Sequence, residues 1–171
     1  MFMLQSWAKP RHLAMNDFTE KLSTLLNASA PRTAVLENVL RETLGHFRSE
    51  SGTIHLLDSN KLLLHLAAQI GLPPQLLDAV KTIPIGKGIA GQVAARNKPV
   101  SICNLQTDTS GVAISSAKQT GLGGSICVPI RSGDKLTGTF GIGTVRPYEY
   151  TAEETRELEE IARRIGDFLK D

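Results

Sequence analysis

The apolar positions of this chain fall into several distinct rhythms. Phe18, Leu22, Leu25 and Leu26 recur at helical spacing behind Asn16, which predicts a helix over residues 16–27 with Asn16 as its cap. Pro31 opens a second helix to about residue 47, with a stripe of Leu36, Val39, Leu40, Leu44 and Phe47. The period then changes. Residues 51–57 and 61–68 read as strands joined by Asp58, Ser59 and Asn60 alone, and so short a link forces an antiparallel hairpin. A short helix is expected around residues 75–81, and another over 88–96, where Ile89 and Val93 stand four apart. Residues 100–103 read as a short strand, and 125–131 with 136–145 as a second hairpin turning on Ser132, Gly133, Asp134 and Lys135. Thr151 and Glu154 then form a capping box ahead of Leu158, Ile161, Ile165, Phe168 and Leu169. This order predicts an α+β domain over residues 16–171, a mostly antiparallel sheet with helices on both faces, behind an irregular extension of residues 1–15.

The glycine run Ile85-Gly86-Lys87-Gly88-Ile89-Ala90-Gly91 has the spacing of a dinucleotide-binding turn, and its surroundings reject that reading. The fingerprint needs a buried parallel strand before the glycines. Here Thr82-Ile83-Pro84 precedes them, short and ending in a residue that cannot donate to a ladder. No Gly-Lys-Ser/Thr closes the run, so it is not a phosphate-binding Walker loop either. Gly138, Gly141 and Gly143 remove side chains from both faces of the last strand, which points to close approach by a backbone, a helix or a ligand.

Composition excludes whole classes of partner. The 171 residues carry a net charge of +2 with the signs mixed along the chain, which gives no electrostatic case for nucleic acid. Aromatic residues make up 5%, too few for a base-stacking platform. No apolar run reaches the length of a membrane span. Cys103 and Cys127 form neither a disulfide framework nor a metal set, and both read as small buried side chains in a reducing cytoplasm. The histidines at 12, 46, 55 and 65 lack a carboxylate or cysteine at ligand spacing, so no metal is expected. His55 and His65 lie on paired strands, where cross-strand packing or a solvated face is the simpler role.

Taken together, residues 85–91, Lys98-Pro99-Val100-Ser101-Ile102 followed by Asp108, Ser125–Ile130, Gly138–Gly143 and Tyr150-Thr151-Ala152-Glu153-Glu154 resemble a GAF domain, a small-molecule sensor module. The resemblance covers residues 16–171. It implies an antiparallel sheet of five or six strands, terminal helices on one face and, on the other, a ligand pocket walled by residues 75–124. Cyclic-nucleotide-binding members carry an Asn-Lys-Phe-Asp-Glu signature. Its positions fall here on Thr144, Val145, Tyr150, Ala152 and Glu153, which argues against a cyclic nucleotide. An enzymatic branch, the free methionine-(R)-sulfoxide reductases, places a redox cysteine in the glycine run and more in the loop after it. This sequence has Ala90 at that position and no cysteine over 104–124.

The expected protein is therefore a non-catalytic regulatory domain, with no cofactor identified. Its ligand is a small polar or anionic molecule. The candidate contacts are Lys87, Gly88 and Ile89 at a helix N-terminus, with Asn104, Thr107, Asp108, Ser110, Ser115 and Ser116 in the polar loop and Ser125 and Cys127 on the strand beneath. A homodimer through the terminal helices is expected, with Leu22, Leu25, Leu158, Ile161, Ile165 and Phe168 in the interface. The alternatives are a sulfoxide reductase and a dimerisation module with no ligand.

Overall fold

The structure, a computed structural model, describes residues 11–113 and 115–170. Six strands are present among them: β1 (Ser51–Asp58), β2 (Leu63–Ile70), β3 (Thr82–Pro84), β4 (Val100–Ile102), β5 (Ser125–Ser132) and β6 (Lys135–Gly143). They form one sheet in the order β3-β2-β1-β6-β5-β4 with every pairing antiparallel. No strand pair is parallel, so the dinucleotide-binding architecture is absent from the described residues. Pro84 closes the edge strand β3, where a missing donor costs the ladder least.

The helices are α1 (Arg11–Leu26), α2 (Arg32–Phe47), α3 (Leu77–Val80), α4 (Gly88–Arg96), α5 (Ser115–Lys118) and α6 (Ala152–Phe168). Successive residues of a strand point to opposite faces, and here the two faces have different fates. Ile54, Phe140 and Val128 stand side by side across β1, β6 and β5, all fully buried. Ile126, Ile130 and Ile142 extend that face. Against it pack Leu36, Val39 and Leu40 of α2 and Leu158, Ile161 and Ile165 of α6. Each such side chain contributes about 1.5–3 kcal/mol on burial, so this layer holds the fold together. Gly52 lets α2 close in, since a Cβ there would meet Leu40 Cδ1 at 2.7 Å. The capping box of α6 is complete: Glu154 N–H donates to Thr151 Oγ1 at 3.1 Å, and Thr151 N–H to Glu154 Oε2 at 2.8 Å.

Three expectations need correction. α1 begins at Arg11, so Asn16 lies inside the helix and residues 11–15 are not irregular. Nothing between Pro10 and Asn16 breaks a helix, and a capping preference is too weak to start one. Residues 1–10 of the expected extension lie outside the described residues. Four of the six expected dimer-interface residues are also taken up by the chain's own core. Leu22, Leu158, Ile161 and Ile165 are buried in the chain's own core, and Leu25 and Phe168 pack partly against it. A core-facing stripe and a coiled-coil seam need the same spacing, and the sheet has taken this one. Cys103, expected to be buried, is exposed just past β4. Among the described residues no helix is long and apolar enough to cross a membrane.

Candidate functional site

The other face of the sheet carries small and polar side chains. Thr53, Gly141 and Cys127 form one row across β1, β6 and β5, and Ser51, Gly143 and Ser125 the next. The nearest atoms to a Cβ on Gly141 would be Cys127 Sγ and Thr53 Oγ1, each at 3.6 Å, an ordinary contact distance, so the missing side chain leaves space rather than relieving a clash. Above this floor lies a cavity of about 140 Å³. Its roof comes from α3, the first turn of α4, Leu105 and the segment through Leu122. A site of this size, walled by aliphatic side chains with a few polar groups, is the usual form of a small-molecule pocket.

The glycine run builds one wall. Gly86 and Gly88 have φ of +90° and +63°, left-handed conformations that a side chain would strain. Gly91 packs onto the turn it follows, where a Cβ would lie 2.6 Å from Pro84 O. Gly86 N–H donates to Gly91 O at 2.8 Å, and Gln92 Nε2 donates to Gly86 O at 2.7 Å. The turn is thus fixed from within. No side chain caps α4, and Gly88, Ile89 and Ala90 of its first turn line the cavity, with Lys87 exposed beside them.

His55 forms part of the floor. It is 2% exposed, and its Nε2–H donates to Val80 O at 2.8 Å. A carbonyl can only accept, so Nε2 carries the proton and Nδ1 is a bare acceptor. Nδ1 has no partner among the described residues. Burial holds the ring's pKa below its ordinary value, only partly offset by the bond to Val80, and the nearby charge of His65 acts in the same direction as burial. The ring is therefore neutral near pH 7. Cys127, also on the floor, is a protonated thiol: burial pushes its pKa up to about 12 against a smaller opposing effect of the Thr139 hydroxyl.

Of the expected contacts, Lys87, Gly88, Ile89, Ser125 and Cys127 meet around the cavity. Ser116 joins them, whereas Asn104, Thr107, Asp108 and Ser110 do not. Asn104 Oδ1 accepts from Gln106 N–H, and Asp108 accepts from Ser110 N–H and Oγ–H, so these side chains close local turns. Thr107 is exposed. Gln106 Nε2 donates to Lys118 O and Leu122 O, both at 2.9 Å, which draws the two ends of the loop together. The sequence reading missed Ser51, Thr53 and Thr120 as lining residues and gave His55 no role in the site. The signal for β1 was there: Thr53 and His55 alternate with Ile54 and Leu56, which puts two polar groups on one face.

A family model described as GAF domain matches residues 29–170. The chain belongs to the GAF domain family. Among solved structures this GAF domain is similar to the GAF domain of a phosphoenolpyruvate-protein phosphotransferase from Coxiella burnetii, with a TM-score of 0.80 at 16% identity over 94% of this chain and 95% of that one. It is also similar to the free methionine-R-sulfoxide reductase of Neisseria meningitidis in complex with its substrate, with a TM-score of 0.79 at 18% identity over 99% and 96%. The GAF domain of A. aeolicus nlh2 in an inactive state gives 0.75 at 19% identity over 94% and 98%. At these identities the likeness is one of fold. No curated protein matches the sequence.

Proposed function

We propose that this GAF domain is a non-catalytic sensor that binds a small polar or anionic molecule in the cavity between the sheet and residues 72–122. One observation carries the reading: between the sheet and its roof lies a cavity of about 140 Å³ lined by aliphatic side chains and the hydroxyls of Thr53, Ser116, Thr120 and Ser125. Closure of the roof on that ligand shifts α4, and α6 passes the change to a partner or a second copy of the chain. Any homodimer through the terminal helices uses their outward faces, since their apolar stripes are occupied. A reducing cytoplasm suits the exposed thiol of Cys103.

A reductase reading is disfavoured by the thiols. The cavity's one cysteine, Cys127, is held protonated at neutral pH, and Cys103 does not line the cavity. Thiol chemistry needs an accessible thiolate.

The test is a thermal-shift screen of a metabolite panel on the wild type and on Gly141→Leu, which fills the cavity from its floor. The expected result is a ligand that raises the Tm of the wild type alone. Equal shifts in both proteins, or none in either, count against the proposal.

A further inference from the structure

The sheet face beneath the cavity runs in three rows of different polar character. Thr53, Gly141 and Cys127 form the middle row, with Ser51, Gly143 and Ser125 on one side of it and His55, Thr139 and Pro129 on the other. His55 Nδ1 and Thr139 Oγ1 are sealed inside the protein without partners, so neither is open to a ligand. Ser51 differs. The residue is 3% exposed and lines the cavity, and its hydroxyl bonds to no described residue, yet its Oγ is not sealed in that way. The hydroxyls of Thr53 and Ser125 on the same face are also unspent. Each of the three can donate and accept. No carboxylate lies among the described lining residues, and burial holds the Cys127 thiol protonated. Lys87 supplies their one full charge, and it is exposed, where water satisfies it. The remaining wall is aliphatic, from Val80, Ile83, Leu105 and Leu122.

We propose that the cavity takes an uncharged molecule with an apolar body the size of a benzene ring and a neutral hydrogen-bonding head, the body over the side-chain-free position of Gly141 and the head on the hydroxyls of Ser51 and Thr53. This rests on the sensor reading and narrows its ligand to an uncharged one. Ser51 and Thr53 stand two residues apart on one strand, about 7 Å. A carboxamide fits across them, since its oxygen accepts from one hydroxyl and its N–H donates to the other. A carboxylate or an ammonium placed there would lose its hydration with no opposite charge in reach to replace it. Gly141 gives the body its room, because the nearest atoms to a Cβ there lie at 3.6 Å. At Gly143 the corresponding space is filled, with Leu122 Cδ1 only 2.8 Å from where a Cβ would be. Size agrees: a cavity of about 150 Å³ encloses benzene, and this one is about 140 Å³.

The experiment is isothermal titration of the full chain with four probes of nearly one shape: benzamide, benzoate, benzamidinium and toluene. Benzamide binds. Benzoate and benzamidinium, its charged counterparts, bind roughly tenfold more weakly or worse, and toluene, which lacks the head, severalfold more weakly. Thr53→Val keeps the shape of the side chain and removes its hydroxyl, and Ser51→Ala removes the other. Each weakens benzamide severalfold and leaves toluene unchanged. Benzoate binding as tightly as benzamide moves the ligand to Lys87 at the mouth and overturns the proposal. Benzamidinium or toluene binding as tightly overturns it too, as does a benzamide affinity unchanged in both variants. The four-probe comparison uses the wild type alone, so it decides even where a variant fails to fold. If all four probes fail while another metabolite binds the wild type and not Gly141→Leu, this proposal falls and the sensor reading survives. If nothing binds at all, both fall.

Discussion

Arg131 of β5 holds Asn97, the residue that ends α4, through two hydrogen bonds: Nε to Asn97 Oδ1 at 2.8 Å and Nη2 to Asn97 O at 2.5 Å. Asn97 ends the helix in a left-handed conformation with φ of +52°, so the guanidinium satisfies a helix terminus. On the opposite face of the sheet, Gly166 of α6 lies directly against the Arg131 main chain, and a Cβ there would overlap the Arg131 carbonyl. One residue therefore touches both the helix that roofs the cavity and the helix at the far side of the core. The contact joins the helix over the cavity to the helix across the sheet.

Gly166→Ala tests how tightly that contact is built. Alanine improves helix propensity by about 1 kcal/mol, but the new methyl meets backbone that cannot rotate away. Overpacking of this kind costs about 1–3 kcal/mol, so the clash outweighs the propensity gain. Urea denaturation is expected to show a lower midpoint. A midpoint at or above wild type means that α6 does not rest on Arg131.

Arg131→Ala removes both bonds to Asn97 while leaving the Gly166 contact in place. The expected loss is about 1 kcal/mol, at the low end for charge-assisted bonds because the site is partly exposed. Amide hydrogen exchange should speed up in α4 and stay unchanged in α2. Uniform acceleration through the whole chain would show a global role instead.

His55 sets a pH dependence. Its folded pKa lies below the ordinary value of about 6.5, so below that pH the unfolded chain takes up the proton first. Stability is complete above the unfolded value and falls as pH drops from about 6.5 towards the folded pKa. The slope of stability against pH between 7 and 5 should be smaller in His55→Phe than in wild type. Identical slopes would assign the dependence to other groups.

The thiols differ in accessibility. With a thiol-specific chromogenic reagent at pH 8, native protein should release colour for one cysteine per chain, the exposed Cys103, and denatured protein for both. Cys127 reacts only on unfolding, since burial keeps it protonated to about pH 12. Two fast thiols in the native state would contradict its burial.

The fold was legible because its signals are local. A three-residue link at Asp58-Ser59-Asn60 admits only a hairpin, and Thr151 with Glu154 fixes the start of α6 to the residue. The cavity was half legible. The glycine run announces a strained turn entering a helix, so Lys87, Gly88 and Ile89 could be placed from sequence. Asp108 and Ser110 could not, because a turn-closing side chain and a ligand-binding one have the same composition. His55 was undervalued for a different reason. A one-residue shift of register after Ile54 pairs His55 with Leu66 and His65 with Leu56, and so separates the two histidines onto opposite faces. A bulge of that kind leaves no mark in the sequence. The fate of the α6 stripe was ambiguous in principle, since burial in one chain and pairing between two require the same apolar spacing.

The central claim is that the hollow beneath α4 is a ligand site, and backbone amide NMR spectra of the labelled chain test it most directly. On titration with the compound that raises Tm, the resonances of Gly88, Ile89, His55 and Cys127 should move first and furthest, with smaller shifts at Asn97 and Gly166. Shifts confined to the groove between α1 and α6, around Phe18 and Arg156, would contradict the account.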